Sequence, residues 1–240
     1  MVNIILLRSI HLFKGVAEST LNNIAECSSI RSFKKDTLLF SGGERLKQFF
    51  YVLHGWAKVF RETYDGNEVI IDMVDTLVNT RCFGEAGIFD QVIEDKLKTI
   101  TDSQMLVIPI NIFKYAIKQD HALAINLLQT AVNHQALQEA EIEHLSAQNA
   151  VQRIGCFLLK LYNTQPKQEN IIRLPFQKSL LATRLGMRPE TFSRELTKLC
   201  KKASLTLLKN NSFLLHSVEK LRHFACYSCA RKKSSLLPEL

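Results

Sequence analysis

The 240-residue chain has no apolar run approaching the roughly 20 residues that a membrane helix needs, which excludes a protein anchored by such helices. Its 9 glycines and 5 prolines are too few for a collagen-like or low-complexity chain. Catalytic signatures are missing as well. There is no G-x-x-x-x-G-K phosphate loop, no H-E-x-x-H metal pair and no nucleophile elbow, so an enzyme is not expected. The start, Met1 to Leu7, is apolar but short, with neither a basic leader nor a small-residue cleavage site, and a secretory signal is not expected. Six cysteines (Cys27, Cys82, Cys156, Cys200, Cys226 and Cys229) in such a chain then point to a reducing compartment, the cytoplasm, rather than to a disulfide scaffold.

What is present is a globular composition, 46% hydrophobic and 22% charged, in a length that suits two domains. The net charge of +8 is informative once divided. Residues 1–150 carry 14 Lys and Arg against 18 Asp and Glu, whereas residues 151–240 carry 17 against 5. All the basicity therefore lies in the last 90 residues, on a mildly acidic amino-terminal part. A basic domain of this kind suits a polyanion, nucleic acid first; its plain alternative is a solvated basic face.

The patterning changes along the chain. Val16 to Cys27 has helical spacing. From Thr37 to Pro109, brief apolar stretches alternate with turn residues, as in Phe49 to Leu53 and Ala57 to Arg61. Asp65-Gly66 before Val69-Ile70-Ile71 is a hairpin signal, and strands at this spacing predict a small sandwich or barrel. Helical spacing returns in Asn111 to Gln119. A longer helix is predicted from His121 to about Leu145, with an uneven stripe of Ala124, Leu127, Leu128, Ala131, Leu137, Ile142 and Leu145. A long helix with a narrow stripe suits a two-helix seam, so a homodimer is expected; the alternative is a helix packed only on its own subunit. Ser146 to Asn149 reads as a hinge, Val151 to Tyr162 as a helix, and Asn163 to Glu169 as a polar loop.

The most specific segment is FQKSLLATRLGMRPETFSRELTKL, Phe176 to Leu199. Leu180, Leu181 and Leu185 give a short helix an apolar side, and Ala182 is small where a second helix must cross. Gly186 can take the positive φ of a turn. Pro189 suits the first turn of the next helix, whose buried side is Phe192, Leu196 and Leu199. This is the spacing of a helix-turn-helix. On its second helix Glu190, Ser193 and Arg194 share one face near the amino-terminal end, the part that enters a major groove. Arg can pair bidentately with guanine, Glu can accept from cytosine, and Ser can approach a neighbouring base. Lys198, Lys201 and Lys202, with Arg188 and Lys209, are expected at the DNA backbone. The bland alternative is a surface ion pair between Glu190 and Arg194. Arg188 is a poor residue for a helix cap. Leu205 to Leu208 and Phe213 to His216 read as strands joined across Lys209-Asn210-Asn211-Ser212, a hairpin wing.

On these residues the chain resembles the CRP/FNR family of bacterial transcription regulators over nearly its whole length. FSGGERLKQFFYVLHGWAKVFRETYDGNEVI is similar to the family's β-roll, and FGEAGIF (Phe83 to Phe89) to the start of its phosphate-binding cassette. LSAQNAVQRIGCFLL is similar to its hinge and first DNA-domain helix, and PETFSR to its recognition helix. The resemblance implies an α+β architecture in four parts. A β-roll sensor domain, similar to a cyclic-nucleotide-binding jelly roll, takes residues 1–120, and a dimerisation helix and hinge 121–149. A winged helix-turn-helix domain takes 150–223, and a basic, cysteine-containing tail 224–240. It implies a dimeric transcription regulator, of the activator type, that binds double-stranded DNA and RNA polymerase in the cytoplasm and no membrane. Glu190, Ser193 and Arg194 follow the FNR-type pattern, which implies TTGAT half-sites in an inverted repeat. HLFKGV, FSGGE and ETFSR resemble the Dnr/NNR branch, which responds to nitric oxide. A competing reading is a ligand-binding module whose carboxyl-terminal domain contacts protein rather than DNA.

The resemblance also places an effector pocket at Gly84, Glu85, Cys82, Asp95, Lys96 and Gln138. Family members that bind cyclic AMP hold its phosphate with an Arg-Ser pair. Counted from Gly84-Glu85 without gaps, those places hold Asp95 and Lys96, and the adenine positions hold Gln138 and Glu139. An Asp repels a phosphate and Lys lacks the bidentate fork of Arg, so cyclic AMP is not the expected effector. The chain has no cysteine before Cys27, so the amino-terminal iron–sulfur cluster of oxygen-sensing members is not expected. Haem stays open as a cofactor, with His11, His54, Met73, Cys82 and His134 as candidate ligands. His54 also reads as a solvent-facing turn residue before Gly55, and Cys82 as a small core residue ending an insertion at Asp75 to Arg81. Cys226 and Cys229, beside Arg231-Lys232-Lys233, are candidates for a metal or a redox switch, with His11 a further metal candidate; an inert exposed tail is the alternative.

Overall fold

The computed structural model describes residues 2–74, 82–165 and 170–231. The chain packs as two compact units, Met1–Gln138 and Glu139–Leu240.

The first unit opens with α1 (Ile4–Ser9), a short helical turn at His11–Phe13 and α2 (Glu18–Cys27). Strands β1 (Ser29–Phe33), β2 (Leu38–Phe40), β3 (Glu44–Arg45), β4 (Gln48–His54), β5 (Ala57–Glu62), β6 (Glu68–Val74) and β7 (Cys82–Phe83) follow. After α3 (Glu85–Ile88) come β8 (Val92–Ile93), β9 (Lys96–Thr99), β10 (Ser103–Pro109), α4 (Ile110–Gln119) and α5 (His121–Ala147). One antiparallel sheet runs β1-β10-β4-β7 and a second β2-β9-β5-β6, with β3 and β8 as a separate pair.

The side-chain alternation of a strand explains the unbroken run Phe49 to Leu53. Phe49 and Tyr51 face a core shared with α1, α2 and α4, while Phe50 and Val52 face a second core with Val59, Leu97 and Val107 from the neighbouring strands. Strand β10 divides the same way, with Leu106 and Ile108 on the helical side and Met105 and Val107 on the other. A strand covered on both faces needs no polar residues. The hairpin expected at Asp65-Gly66 joins β5 to β6, paired from Ala57↔Val74 to Glu62↔Glu68 with a register shift between Val59 and Phe60. Gly66, at φ +75°, donates its N–H to the Thr63 carbonyl at 2.9 Å. The insertion anticipated at Asp75 to Arg81 lies outside the described residues.

The second unit contains α6 (Ala150–Thr164), β11 (Ile171–Arg173), α7 (Lys178–Arg184), α8 (Pro189–Lys202), β12 (Leu205–Leu207), β13 (Ser212–Leu215), α9 (Val218–Arg222) and α10 (Tyr227–Arg231). Its sheet has the order β11-β13-β12. The hairpin expected between the last two strands is present, with Leu207 opposite Phe213 and Asn210 and Asn211 both left-handed at φ +58° and +53°. The third strand, β11, fell beyond the polar loop and was not anticipated. The Ser146–Asn149 hinge shrinks to Gln148 and Asn149, because α5 continues to Ala147 and Asn149 starts α6. Asn149 and Gln152 form a reciprocal capping box, each side chain accepting the other's backbone N–H.

Two expected boundaries differ. The long helix is no separate segment, since the compact units divide within it at Gln138. The tail from residue 224 is packed over its described part, where α10 lies against α6. Lys232 and Lys233 lie outside the described residues.

Asp120, only 8% exposed, fixes the start of the long helix. Its carboxylate accepts from Leu123 N–H at 3.2 Å, in the manner of an N-cap, and from Ala17 N–H at 2.9 Å. Burial alone would raise its pKa, but the N–H donors of Ala17, Leu123 and Ala122 and the Thr20 hydroxyl outweigh it and leave the carboxyl below the ordinary value. A depressed folded pKa gives stability that is complete above the unfolded carboxyl pKa and is lost as pH falls through the folded one. Asp120→Ala should therefore cost about 1–2 kcal/mol at neutral pH. In urea unfolding, the difference from wild type should narrow below pH ~4.

Candidate nucleic-acid interface

Helices α7 and α8 pack through Leu181, Ala182, Leu185, Phe192, Leu196 and Leu199, all buried. Between them Gly186 has φ +64°, a left-handed conformation that disfavours any residue with a Cβ. Its turn is closed by Gly186 N–H to the Thr183 carbonyl at 3.1 Å and Met187 N–H to the Ala182 carbonyl at 2.9 Å. Pro189 occupies the first turn of α8, and Arg188 in the cap position makes no side-chain cap, as its chemistry anticipates.

Burying Phe192, Leu196 and Leu199 turns the other side of α8 outward. Glu190, Ser193 and Arg194 are all exposed on its amino-terminal half. The ion pair weighed between Glu190 and Arg194 is not the one formed. Arg194 Nε instead donates to Glu195 at 3.0 Å, and Lys198 donates to the same carboxylate at 2.9 Å. These two cations, Lys198 foremost, hold the Glu195 carboxyl below its ordinary range. Arg194 lies on the surface, so exchanging that partner for another acceptor costs little. Lys198, Lys201, Lys202 and Lys209 are likewise exposed, the first three continuing along α8 and the last in the wing turn.

The helix-turn-helix is tied to the helices before it within the same unit. Arg184 on α7 pairs with Glu141 on α5 at 2.8 Å, with side chains only 11% and 29% exposed. Arg153 on α6 donates to the Leu185 carbonyl at 2.9 Å, at the end of α7. These two links join the end of α5 and α6 to α7, the helix that packs against α8.

The positions proposed for an effector lie in the first unit and do not act as a set. Gly84, at φ +123°, sits where a Cβ would stand 2.8 Å from the Gln48 carbonyl, so glycine is required by packing alone. Glu85 opens α3. Cys82 is 1% exposed within the core that includes Tyr51 and Ile108, where it serves as a small apolar residue. Asp95, just before β9, pairs with Arg61 on β5 at 2.5 Å, and Lys96 on β9 pairs with Glu62 on β5 at 2.8 Å. Gln138 is exposed on α5.

The haem-ligand candidates are dispersed as well. His11 and His54 are exposed, and Met73 is buried. His134 Nε2 lies 2.9 Å from the carboxylate of Asp72, itself 6% exposed. His134 Nε2 is thus engaged by Asp72, whose carboxylate also accepts from Met73 N–H at 2.8 Å, and these candidates are not among the donors that the described residues bring together. His11, a further metal candidate, is not among the donors around Cys226 and Cys229. Those two cysteines instead meet His144 and Cys156, which sequence reasoning left out. The only local signal was the Cys-x-x-Cys spacing, because their partners lie far away in the chain.

Residues 30–120 match the cyclic nucleotide-binding domain family, and residues 152–224 match the Crp-like helix-turn-helix domain family. Among curated proteins, none matches the chain. Several solved structures do. A proposed cAMP-binding regulatory protein from Silicibacter pomeroyi DSS-3 is 27% identical, with 92% of this chain and 97% of that one covered at a TM-score of 0.62. FixK2 from Bradyrhizobium japonicum is 18% identical over 83% of this chain and 98% of that one, at a TM-score of 0.73. A CooA variant from Carboxydothermus hydrogenoformans is 17% identical over 92% and 95%, at a TM-score of 0.70; these last two show likeness of fold. With a cyclic-nucleotide-binding β-sandwich, a long helix and a Crp-like helix-turn-helix in that order, the chain belongs to the CRP/FNR family of transcription regulators.

Proposed function

We propose that this regulator works as a homodimer that reads an inverted repeat of TTGAT half-sites, acts in the cytoplasm as an activator through RNA polymerase, and catalyses no reaction. The observation that carries the reading is the outward face of α8. It offers an acid, a hydroxyl and a guanidinium together at its amino-terminal half, in a carboxyl-terminal segment with 17 basic against 5 acidic residues. Arg194 supplies the bidentate fork for guanine O6 and N7, Glu190 accepts from cytosine N4, and Ser193 approaches the adjoining base. Arg188, Lys198, Lys201, Lys202 and Lys209 supply phosphate contacts, which position the domain without reading sequence.

The dimer is supported by apolar residues of α5 that this chain leaves uncovered. Ile125, Leu128 and Val132 are 48%, 60% and 53% exposed, at the three-and-four spacing of a coiled-coil seam. Leu128 belongs to the stripe anticipated from sequence, as do the exposed Ile142 and Leu145; Ile125 and Val132 do not, and Leu127 of that stripe is half-buried. A homodimer supplies two α8 helices, the number that an inverted repeat with half-sites about one DNA turn apart requires.

The effector is not cyclic AMP on this reading, because Asp95 would repel a phosphate and Lys96 lacks the bidentate fork of Arg. The motifs HLFKGV, FSGGE and ETFSR favour the Dnr/NNR branch, and hence a response to nitric oxide. The competing module that contacts protein rather than DNA has no matching outward apolar patch on α8, whose exposed face is charged and polar.

Arg194→Ala should weaken binding to a TTGAT inverted repeat by 1–3 kcal/mol per contact, about tenfold to a hundredfold, and relax the preference at the guanine. Lys201→Ala should instead weaken all sequences about equally and reduce the salt slope by about 1. Gel shifts over a salt series separate the two; an unchanged preference in Arg194→Ala would overturn the base assignment. For the seam, Leu128→Glu should shift sedimentation from dimer towards monomer and cost DNA affinity together with it. A variant that remains dimeric would place the interface elsewhere.

A further inference from the structure

Four donor side chains of the second unit converge at a place that base reading does not use. Nε2 of His144 and the sulfurs of Cys156, Cys226 and Cys229 all lie within 4.8 Å of one another. They come from three elements: His144 near the end of α5, Cys156 on α6, and Cys226 and Cys229 at the start of α10. We propose that these four residues form a tetrahedral site for one zinc-class divalent ion, which clamps the end of α5 and the start of α10 to α6.

The distances suit one ion. Zinc–sulfur bonds of about 2.3 Å in a regular tetrahedron set ligand atoms about 3.8 Å apart. His144 Nε2 stands 3.2 Å from Cys226 Sγ and 3.7 Å from Cys229 Sγ. An iron–sulfur cage would hold its ligand sulfurs farther apart, with metal and sulfide atoms between them. The three thiols are free, with no disulfide among them. Three thiolates and one imidazole make a soft, closed donor set of the kind that selects zinc over magnesium or calcium.

The surroundings are built for thiolate. Cys226 N–H donates to Cys156 Sγ at 3.1 Å, and Cys229 N–H donates to Cys226 Sγ at 3.3 Å. Gln148 Oε1 accepts from the Cys156 thiol at 3.4 Å, while the buried Nε2 of the same amide has no partner among the described residues. Once Cys156 gives up its proton to a metal, a half-turn of that amide presents an N–H to the sulfur and satisfies the orphaned donor. The backbone fits too. Gly155 precedes Cys156 on α6, and a Cβ there would lie 2.3 Å from the Phe224 carbonyl, so only glycine lets residues 224–229 approach this closely.

The site bridges the break at Gln148 and Asn149. An ion held there ties the last turn of α5 to α6, and through Arg153 to the end of α7. Metal would thus stiffen the joint that orients the reading helix. This is independent of which bases α8 reads.

The test is a titration of the full chain, purified reduced and metal-free, with cobalt(II) and then zinc(II). Wild type should take up one ion per chain, with the intense visible bands of tetrahedral cobalt and a sulfur-to-cobalt charge-transfer band, both abolished by zinc. Cys229→Ser should lose about a third of the charge-transfer intensity, one thiolate of three, and bind at least tenfold more weakly. Cys27→Ser, exposed and outside the cluster, should leave the spectrum unchanged. Thermal unfolding of wild type should shift upward with free zinc. No tetrahedral cobalt spectrum in wild type, an unchanged spectrum in Cys229→Ser, or its loss in Cys27→Ser would each overturn the site. A protein that forms a disulfide within the cluster and takes up no metal after reduction would do the same.

Discussion

Burial of one side of α8 decides what the opposite side can do. Phe192, Leu196 and Leu199 are at most 6% exposed, and removing such side chains from water is worth about 1.5–3 kcal/mol each. That commitment fixes the rotation of the helix about its axis, and with it the direction of Glu190, Ser193 and Arg194. Gly186 fixes the remaining freedom, because its left-handed turn sets the angle at which α8 leaves α7. The geometry of the proposed base-reading face is therefore held by apolar contacts on the other side of the helix, while its exposed side chains remain able to change partner.

The two units apply the same packing rules to different ends. In the β-sandwich, side chains alternate between two apolar cores, which leaves little polar interior beyond pairs such as His134 with Asp72. The cassette segment keeps its glycines for packing reasons, as Gly84 against Gln48 illustrates. Asp95 and Lys96 of that segment pair with Arg61 and Glu62 on β5. In the second unit the helices around the hinge are joined by polar links, Arg184 to Glu141 and Arg153 to Leu185, which transmit displacement better than a greasy contact that can slide.

Much of this was legible before any coordinates. The helix-turn-helix could be read because its signals are local: a 3.6-residue apolar repeat, a glycine where φ must be positive and a proline in a first turn. The wing turn was legible for the same reason, since Asn210 and Asn211 tolerate left-handed backbone. Features that depend on distant partners were not. Cys226 and Cys229 looked like a weak pair because His144 and Cys156 stand 82 and 70 residues before Cys226 in the chain. Strand β11 is three residues long and is defined by its partner β13, not by its own pattern. On α5 the stripe anticipated by counting apolar residues included Leu128, which is outward, but Leu127 turns towards its own core, and the outward Ile125 and Val132 were not in the stripe.

Selection of binding sites from a pool of random duplexes, with wild-type protein at near-physiological salt, tests the central claim most directly. Enrichment of two TTGAT halves in inverted repeat, with the strongest preference at the guanine, is the expected result. Recovery of duplexes with no common sequence, or of a motif that survives when α8 loses its arginine, would contradict it.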